Sequence, residues 1–206
     1  MQPPPIPGVT MTDAEQSLLQ LLKERSFKKA PPGEKFRLAS GELSDYFIDG
    51  KMTMVSSEGA ALIGEVIYDW TKDYELDAIG GLQVGAVPLA TAAAISYRSH
   101  GRPMEGFWVR EEVKSHGTQK HIEGRLKPGM RVAVVDDVFT RGGSTLKAVQ
   151  AVREAGCEVV LVLALVDRLR GARDLFVANG ITEVLTVFTI RDFGIDVPDY
   201  AEALAR

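Results

Sequence analysis

Residues 132–144 read Val-Ala-Val-Val-Asp-Asp-Val-Phe-Thr-Arg-Gly-Gly-Ser, and the architecture follows from them. Four apolar residues, mostly β-branched, run into the pair Asp136-Asp137. A hydroxyl- and glycine-bearing loop over 140–145 comes next, and the helical pattern LKAVQAVREAG follows it. A short apolar run of this kind is a strand buried on both faces, as in a parallel α/β sheet. Open α/β sheets bind ligands beyond the carboxyl ends of their strands, which is where the two aspartates fall. Gly142 and Gly143 let backbone N–H groups converge on an anion, and a helix N-terminus adds unpaired donors and a favourable dipole. Carboxylates beside a phosphate cradle suit a ligand that is part phosphate, part diol and metal-bound. Either half alone reads equally well as a polar turn and a capped helix. Their joint occurrence points to a phosphate site. The stretch is neither a P-loop, lacking Gly-Lys-Ser/Thr, nor a Gly-x-Gly-x-x-Gly fingerprint.

Working outward, apolar strand patterns fall at 77–82, 104–109, 158–166 and 183–188 beside 131–137. Helical patterns lie between most of them, near 86–98, 143–155 and 171–179. Alternation of this kind predicts βαβ units and a five-stranded parallel sheet flanked by helices on both faces. Upstream, residues 1–11 hold four prolines and read as a flexible tail. Thr12-Asp-Ala-Glu15 predicts a capping box opening a helix to about Arg25. Residues 34–54 carry aromatic alternation broken by Ser-Gly and Ser-Asp, which suggests a hairpin-like region. Ser56 or Ser57 then caps a helix with apolar residues at 62, 63, 66, 67 and 70. The expected division is a tail over 1–11, a small N-terminal region over 12–75 and a ligand-binding α/β core over 76–206.

Composition narrows the partners. The chain has 206 residues, 45% hydrophobic and 25% charged, with a net charge of −4. That is ordinary for a globular protein, and no basic run resembles a nucleic-acid footprint. No apolar run reaches the roughly 18 residues needed to cross a bilayer, and no secretory signal pattern opens the chain. The lone Cys157 excludes an internal disulfide and fits a reducing cytoplasm. Small-molecule partners are therefore expected, with no nucleic acid and no membrane.

The motif VVDDVFTRGGST resembles the signature of the type I phosphoribosyltransferases, which bind 5-phosphoribosyl 1-diphosphate (PRPP). That resemblance implies their fold, a parallel α/β core with a small N-terminal hood. It also implies that Asp136 and Asp137 hold the ribose hydroxyls, and that Val138, Phe139, Thr140, Arg141, Gly142, Gly143 and Ser144 surround the 5-phosphate. Three further segments resemble the orotate phosphoribosyltransferases in particular. Arg110…Lys114-Ser-His116-Gly, with Ile-Glu-Gly at 122–124, is similar to their catalytic loop. It implies that Arg110, Lys114 and His116 meet the pyrophosphate, usually on the neighbouring subunit of a homodimer. Ser40-Gly-Glu-Leu-Ser44 followed by Tyr46, Phe47 and Ile48 is similar to their N-terminal signature and implies a base pocket there. Asp167-Arg168 ends an apolar strand and implies that the Arg168 guanidinium meets the orotate anion, with Thr140 nearby. A fourth, less specific stretch, Gly80 to Pro88, resembles the pyrophosphate-side loop.

The implied reaction is orotate plus PRPP giving orotidine 5′-monophosphate and pyrophosphate, a step of de novo pyrimidine synthesis. Lys114, His116 and Asp137 are the implied catalytic residues. Mg²⁺ would sit on PRPP oxygens and waters, with Asp136 and Asp137 as its candidate protein ligands. Three positions depart from bacterial members that carry lysine there: Ala39, Val84 and Glu111. They leave two other readings open, a transferase for a different base and a non-catalytic PRPP-sensing regulator. The acidic charge and short N-terminal region argue against a DNA-binding appendage of the kind the regulator needs.

Overall fold

The computed structural model describes residues 10–37, 41, 43–111 and 121–197. Helix α1, Asp13–Leu21, opens on the expected capping box: Glu15 N–H donates to Thr12 Oγ1 at 3.2 Å and Thr12 N–H to Glu15 Oε2 at 2.7 Å. A π-helical turn, Leu22–Ser26, carries the chain into strand β1, Phe27–Lys29. Strands β2, Phe36–Arg37, and β3, Leu43–Ser44, form the expected hairpin. Strand β4, Tyr46–Ile48, instead pairs antiparallel with β1, a strand too short and too cationic to show in the sequence pattern. Helix α2, Lys51–Met54, and helix α3, Ser57–Thr71, complete this half; Ser56 Oγ caps α3 by accepting from Gly59 N–H at 3.1 Å.

The second half alternates as expected. In chain order it runs β5, Ala78–Leu82; α4, Ala86–Ser99; β6, Glu105–Val109; β7, Ile122–Gly124; β8, Arg131–Phe139; α5, Gly143–Glu154; β9, Glu158–Asp167; α6, Ala172–Ala178; and β10, Val184–Thr189. The strands lie in the order β10-β9-β8-β5-β6-β7. Five of them are parallel, as predicted, but β7 adds a sixth, antiparallel to β6. Three residues are too few to show a strand period, so the Ile-Glu-Gly stretch carries no strand signal of its own.

Both faces of the sheet are covered, and β8 shows why its sequence is a continuous apolar run. Ala133 and Val135 join one core cluster with residues from α1, α3 and α4, including Leu18, Ile63, Ile67 and Leu89. Val132 and Val134 join the other, with Ala148, Val149 and Val152 of α5 and Phe176 of α6. Strand β9 alternates likewise, Leu161, Leu163 and Leu165 to one side and Val162 and Ala164 to the other. The chain steps from β5 outward to β6, then returns across β5 to begin β8 and steps the other way. The carboxyl ends of β5 and β8 therefore flank a topological switch point, the crevice where such sheets take ligands.

Candidate active site

Asp136 and Asp137 lie near the carboxyl end of β8 at that switch point, and pleating sends them to different surroundings. The Asp136 carboxylate is half-buried and held in place: Oδ2 accepts from Thr145 Oγ1 at 2.7 Å and Oδ1 from Asp137 N–H at 3.0 Å. Burial first, and the charge of Asp137 second, push its pKa up to about 7. Asp136 lines a hollow of about 210 Å³ with Val138, Thr140 and the loop 141–145.

The Asp137 carboxylate faces two glycines instead. A Cβ on Gly50 would lie 2.9 Å from Asp137 Oδ2, and one on Gly85 would lie 2.9 Å from Oδ1. Any larger residue at either position would push this carboxylate aside. Lys51, beside Gly50, places Nζ 2.7 Å from Asp49 Oδ1. Its pKa is raised, chiefly by that hydrogen bond and also by the charge of Asp137.

The loop that closes the hollow is shaped by Gly142. Its φ of +79° is the left-handed region that favours glycine, and a Cβ there would meet the Phe176 ring at 2.8 Å. No side chain caps α5, so the N–H groups of its first turn are open to an anion, and Gly143 has clear space on its outer side. Phe139 turns its ring into the core against Phe176, centroids 4.9 Å apart, and offers the site only its backbone. Ser144 lies inside the first helical turn rather than before it.

At the neighbouring end of β9, Arg168 is 7% exposed although it carries a full charge. Its backbone N–H bonds Phe139 O at 2.9 Å, fastening it beside the loop that follows β8. Its guanidinium lies over the Tyr46 ring, 4.6 Å from the centroid. Nε donates to Tyr46 Oη at 3.2 Å and Nη2 to Ser44 Oγ at 3.0 Å. Asp167 is not its partner: Asp167 Oδ1 accepts from Leu169 N–H at 2.7 Å, bracing Leu169 at a φ of +56°. Phe47 packs at a tilt against Phe36, centroids 5.8 Å apart and rings at 39°, and Ile48 packs against the core.

At the end of β6, Arg110 is tied down as well. Nε and Nη2 both donate to Glu123 Oε1, at 2.9 and 2.5 Å, and its N–H bonds His121 O at 2.9 Å. Glu111 and Val84 stand exposed, Val84 at 66%. Lys114, His116 and Ala39 lie outside the described residues.

Residues 54–200 match the family described as phosphoribosyl transferase domain. An orotate phosphoribosyltransferase of Sorangium cellulosum is 43% identical over 186 residues, which cover 89% of this chain and 94% of that protein. This chain belongs to the orotate phosphoribosyltransferase family. A second member, from Aquifex aeolicus, is 46% identical over 166 residues, covering 81% of this chain and 90% of that one. Among solved structures, the Mycobacterium tuberculosis orotate phosphoribosyltransferase in complex with PRPP superposes with a TM-score of 0.71 at 31% identity. That match covers 90% of this chain and 94% of the other. The type I fold expected from the β8 motif is thus shown, and the family's hydroxyl-glycine loop is the lining of the 210 Å³ hollow.

Sequence reasoning missed the residues that hold this family's groups in place. Thr145, Gly85 and Glu123 fall inside the motifs read from the sequence and Gly50 outside them, but all four reach their partners through the tertiary fold, and no spacing in the chain shows those partners. Ser44 is visible as the end of Ser-Gly-x-x-Ser, but its partner 124 residues away is not.

Asp167 also makes stability depend on pH. Burial raises its pKa from 3.8 to about 6, against the smaller lowering effects of the Leu169 N–H and the charge of Arg173. The native state therefore binds the proton more tightly than the unfolded chain. Stability from this group is full below about pH 4 and is lost as pH rises through about 6, by up to about 3 kcal/mol. Asp167→Asn should remove that slope while keeping an acceptor for Leu169. Urea unfolding across a pH series from about 4.5 to about 7.5 should show the stability difference, wild type minus variant, falling as pH rises. Parallel curves would mean that Asp167 titrates normally.

Proposed function

We propose that the chain transfers the phosphoribosyl group of PRPP to orotate, giving orotidine 5′-monophosphate and pyrophosphate. One juxtaposition carries this reading. The open first turn of α5 and the Asp136 carboxylate lie on either side of Phe139 in the chain, and the Phe139 carbonyl accepts from the N–H of Arg168, a buried cation whose side-chain partners among the described residues are neutral. A buried charge lacking a counter-ion is costly, and an anionic ligand supplies one. Orotate carries a carboxylate on a planar ring, matched to a guanidinium fork. A regulator that only senses PRPP has no use for this second anion site, and adenine or hypoxanthine brings no carboxylate to it.

In the reaction, the bond from the anomeric carbon to pyrophosphate oxygen breaks and the electron pair leaves with pyrophosphate. A bond from that carbon to the orotate ring nitrogen forms. Orotate arrives nucleophilic, so no dedicated base is required. The chain's work is positioning and charge stabilisation. The α5 N-terminus with Thr140, Arg141 and Ser144 holds the 5-phosphate. Asp136 and Asp137 accept from the ribose hydroxyls and stand near the cation developing on the sugar. Arg110, Lys114 and His116 neutralise the departing pyrophosphate. For Arg110 this requires exchanging Glu123 for the ligand.

The hard oxygen donors present fit Mg²⁺. Among the described residues there is no cluster of three or more acidic, histidine or cysteine side chains, so Asp136 and Asp137 would share the ion with PRPP oxygens and water. When bound, Mg²⁺ supplies charge neutralisation at the pyrophosphate oxygens. The free, buried Cys157 is consistent with a cytoplasmic enzyme.

We place the homodimer contact on the outer face of α4 and β6. An apolar groove of about 500 Å³ lies there, lined by Val87, Ile95 and Trp108 among others, with Ile95 64% exposed. Strand β6 runs from this groove directly into Arg110, so the catalytic loop begins beside the contact. Ile95→Glu is expected to convert dimer to monomer by light scattering and to lower activity. An unchanged mass would move the interface elsewhere. Inactive Lys114→Ala and Asp136→Asn/Asp137→Asn proteins, mixed, should regain partial activity if the loop serves the partner's site.

The experiment for the function is direct. PRPP and Mg²⁺ are offered with orotate, uracil, adenine or hypoxanthine in turn, and products are separated. Orotidine monophosphate alone is expected; product from another base, or none, would replace this reading.

A further inference from the structure

We infer that Ser44 and Tyr46 are positioning residues for base recognition, aiming the Arg168 guanidinium and leaving its Nη1 end for the ligand carboxylate. This rests on the orotate reading above and goes beyond it, because neither side chain is asked to touch the base. Ser44 is buried at the end of β3. Its hydroxyl donates its single proton to Tyr46 O at 2.7 Å. The lone pairs are thereby turned to accept, from Arg168 Nη2 at 3.0 Å and from Tyr46 N–H at 3.3 Å. Tyr46 supplies the second and third constraints. Its hydroxyl accepts from Nε at 3.2 Å, and its ring lies beneath the guanidinium at 4.6 Å.

A planar guanidinium held over a ring and bonded at Nε and Nη2 is fixed in direction. Nη1 has no partner among the described residues. The partners that the cation does have are neutral, so the charge is oriented without being neutralised. A carboxylate in place of Ser44 would compete with the ligand; a hydroxyl does not. Tyr46 is itself 3% exposed, with its ring committed to Arg168 and, at 6.2 Å, to Phe27. Its place in the base pocket is therefore exerted through Arg168. The small β1–β4 and β2–β3 ribbons thus reach across to the core sheet and set the direction of its base-binding arginine.

Steady-state kinetics with the full-length enzyme test this. Ser44→Ala should raise KM for orotate about 5–20-fold, less than losing a direct hydrogen bond to a charged group because Ser44 acts through Arg168, with kcat and KM for PRPP unchanged within about twofold. Ser44→Thr, which keeps the hydroxyl, should restore KM. Tyr46→Phe keeps the ring and should give a smaller rise. Added to Arg168→Ala, Ser44→Ala should cost nothing further, because its only effect runs through the guanidinium. An additive loss in that double variant, or an unchanged KM for orotate in Ser44→Ala while Arg168→Ala raises it, overturns the inference. An Arg168→Ala protein with normal KM for orotate would overturn the base reading itself, a different outcome. If thermal melting shows that Ser44→Ala is unfolded, Ser44→Cys, close in volume and a weaker acceptor, carries the same expectation.

Discussion

Calorimetry on the doubly substituted Asp136→Asn/Asp137→Asn protein is expected to show PRPP binding weakened about 10²–10⁴-fold, with the fold retained. Each charge-assisted hydrogen bond to a ribose hydroxyl contributes roughly 1.5–3 kcal/mol, and two are lost. The fold should survive because asparagine can replace the contacts that the structure shows. Asp136 accepts from Thr145 Oγ1 at 2.7 Å and from the Asp137 N–H at 3.0 Å. An amide at position 136 can accept from that same N–H through its oxygen and donate to the threonine hydroxyl through its nitrogen. It also spares the native state a partly desolvated charge. The single variants should differ. The raised pKa of Asp136, about 7 without ligand, means that its carboxyl is substantially protonated at about pH 6. Asp136→Asn should then cost less at about pH 6 than at about pH 8. Wild-type PRPP affinity retained by the double variant would remove the ribose assignment altogether.

Arg168→Ala is expected to raise KM for orotate about 30- to 1000-fold while leaving KM for PRPP within a small factor. Removing a bidentate charged contact leaves the ligand carboxylate uncompensated, which costs about 2–4 kcal/mol. The selectivity of the effect is the informative part. Among the described residues, Arg168 is joined to the chain that leads into the phosphate hollow by its backbone bond to Phe139 O, which alanine keeps. Among the described residues, its side chain bonds to Ser44 and Tyr46. A comparable loss for both substrates would mean that the buried cation is a structural clasp between the β3–β4 segment and β9.

The departures from lysine read differently once the site is built. Val84 and Glu111 are exposed, beside Gly85 and Arg110 in the chain, so neither removes a buried contact. Lys51 stands at the start of α2, drawn by Asp49 and by the charge of Asp137, and brings a cation to the same carboxylate end of the sheet. Its proximity to that pair comes from the tight approach of Gly50, which nothing in the DGK triplet advertises.

What the amino-acid order determined by itself is local or periodic. Runs of apolar residues bounded by Asp136 and Arg168 specify strands buried on both faces, and the 3.6-residue pattern of 143–154 specifies the helix that follows. The Thr12 and Ser56 caps specify where helices begin. Backbone geometry and burial are satisfied within each segment, so each segment shows them. Tertiary structure decided which of these groups meet. It turned Asp136 toward Thr145 and Asp137 toward Gly50 and Gly85, paired Arg110 with Glu123 across β6 and β7, and brought Ser44 to Arg168. Those contacts arise from sheet order and from the close approach of separate elements. A hydrogen bond spanning 124 residues leaves no period in the chain from which to read it.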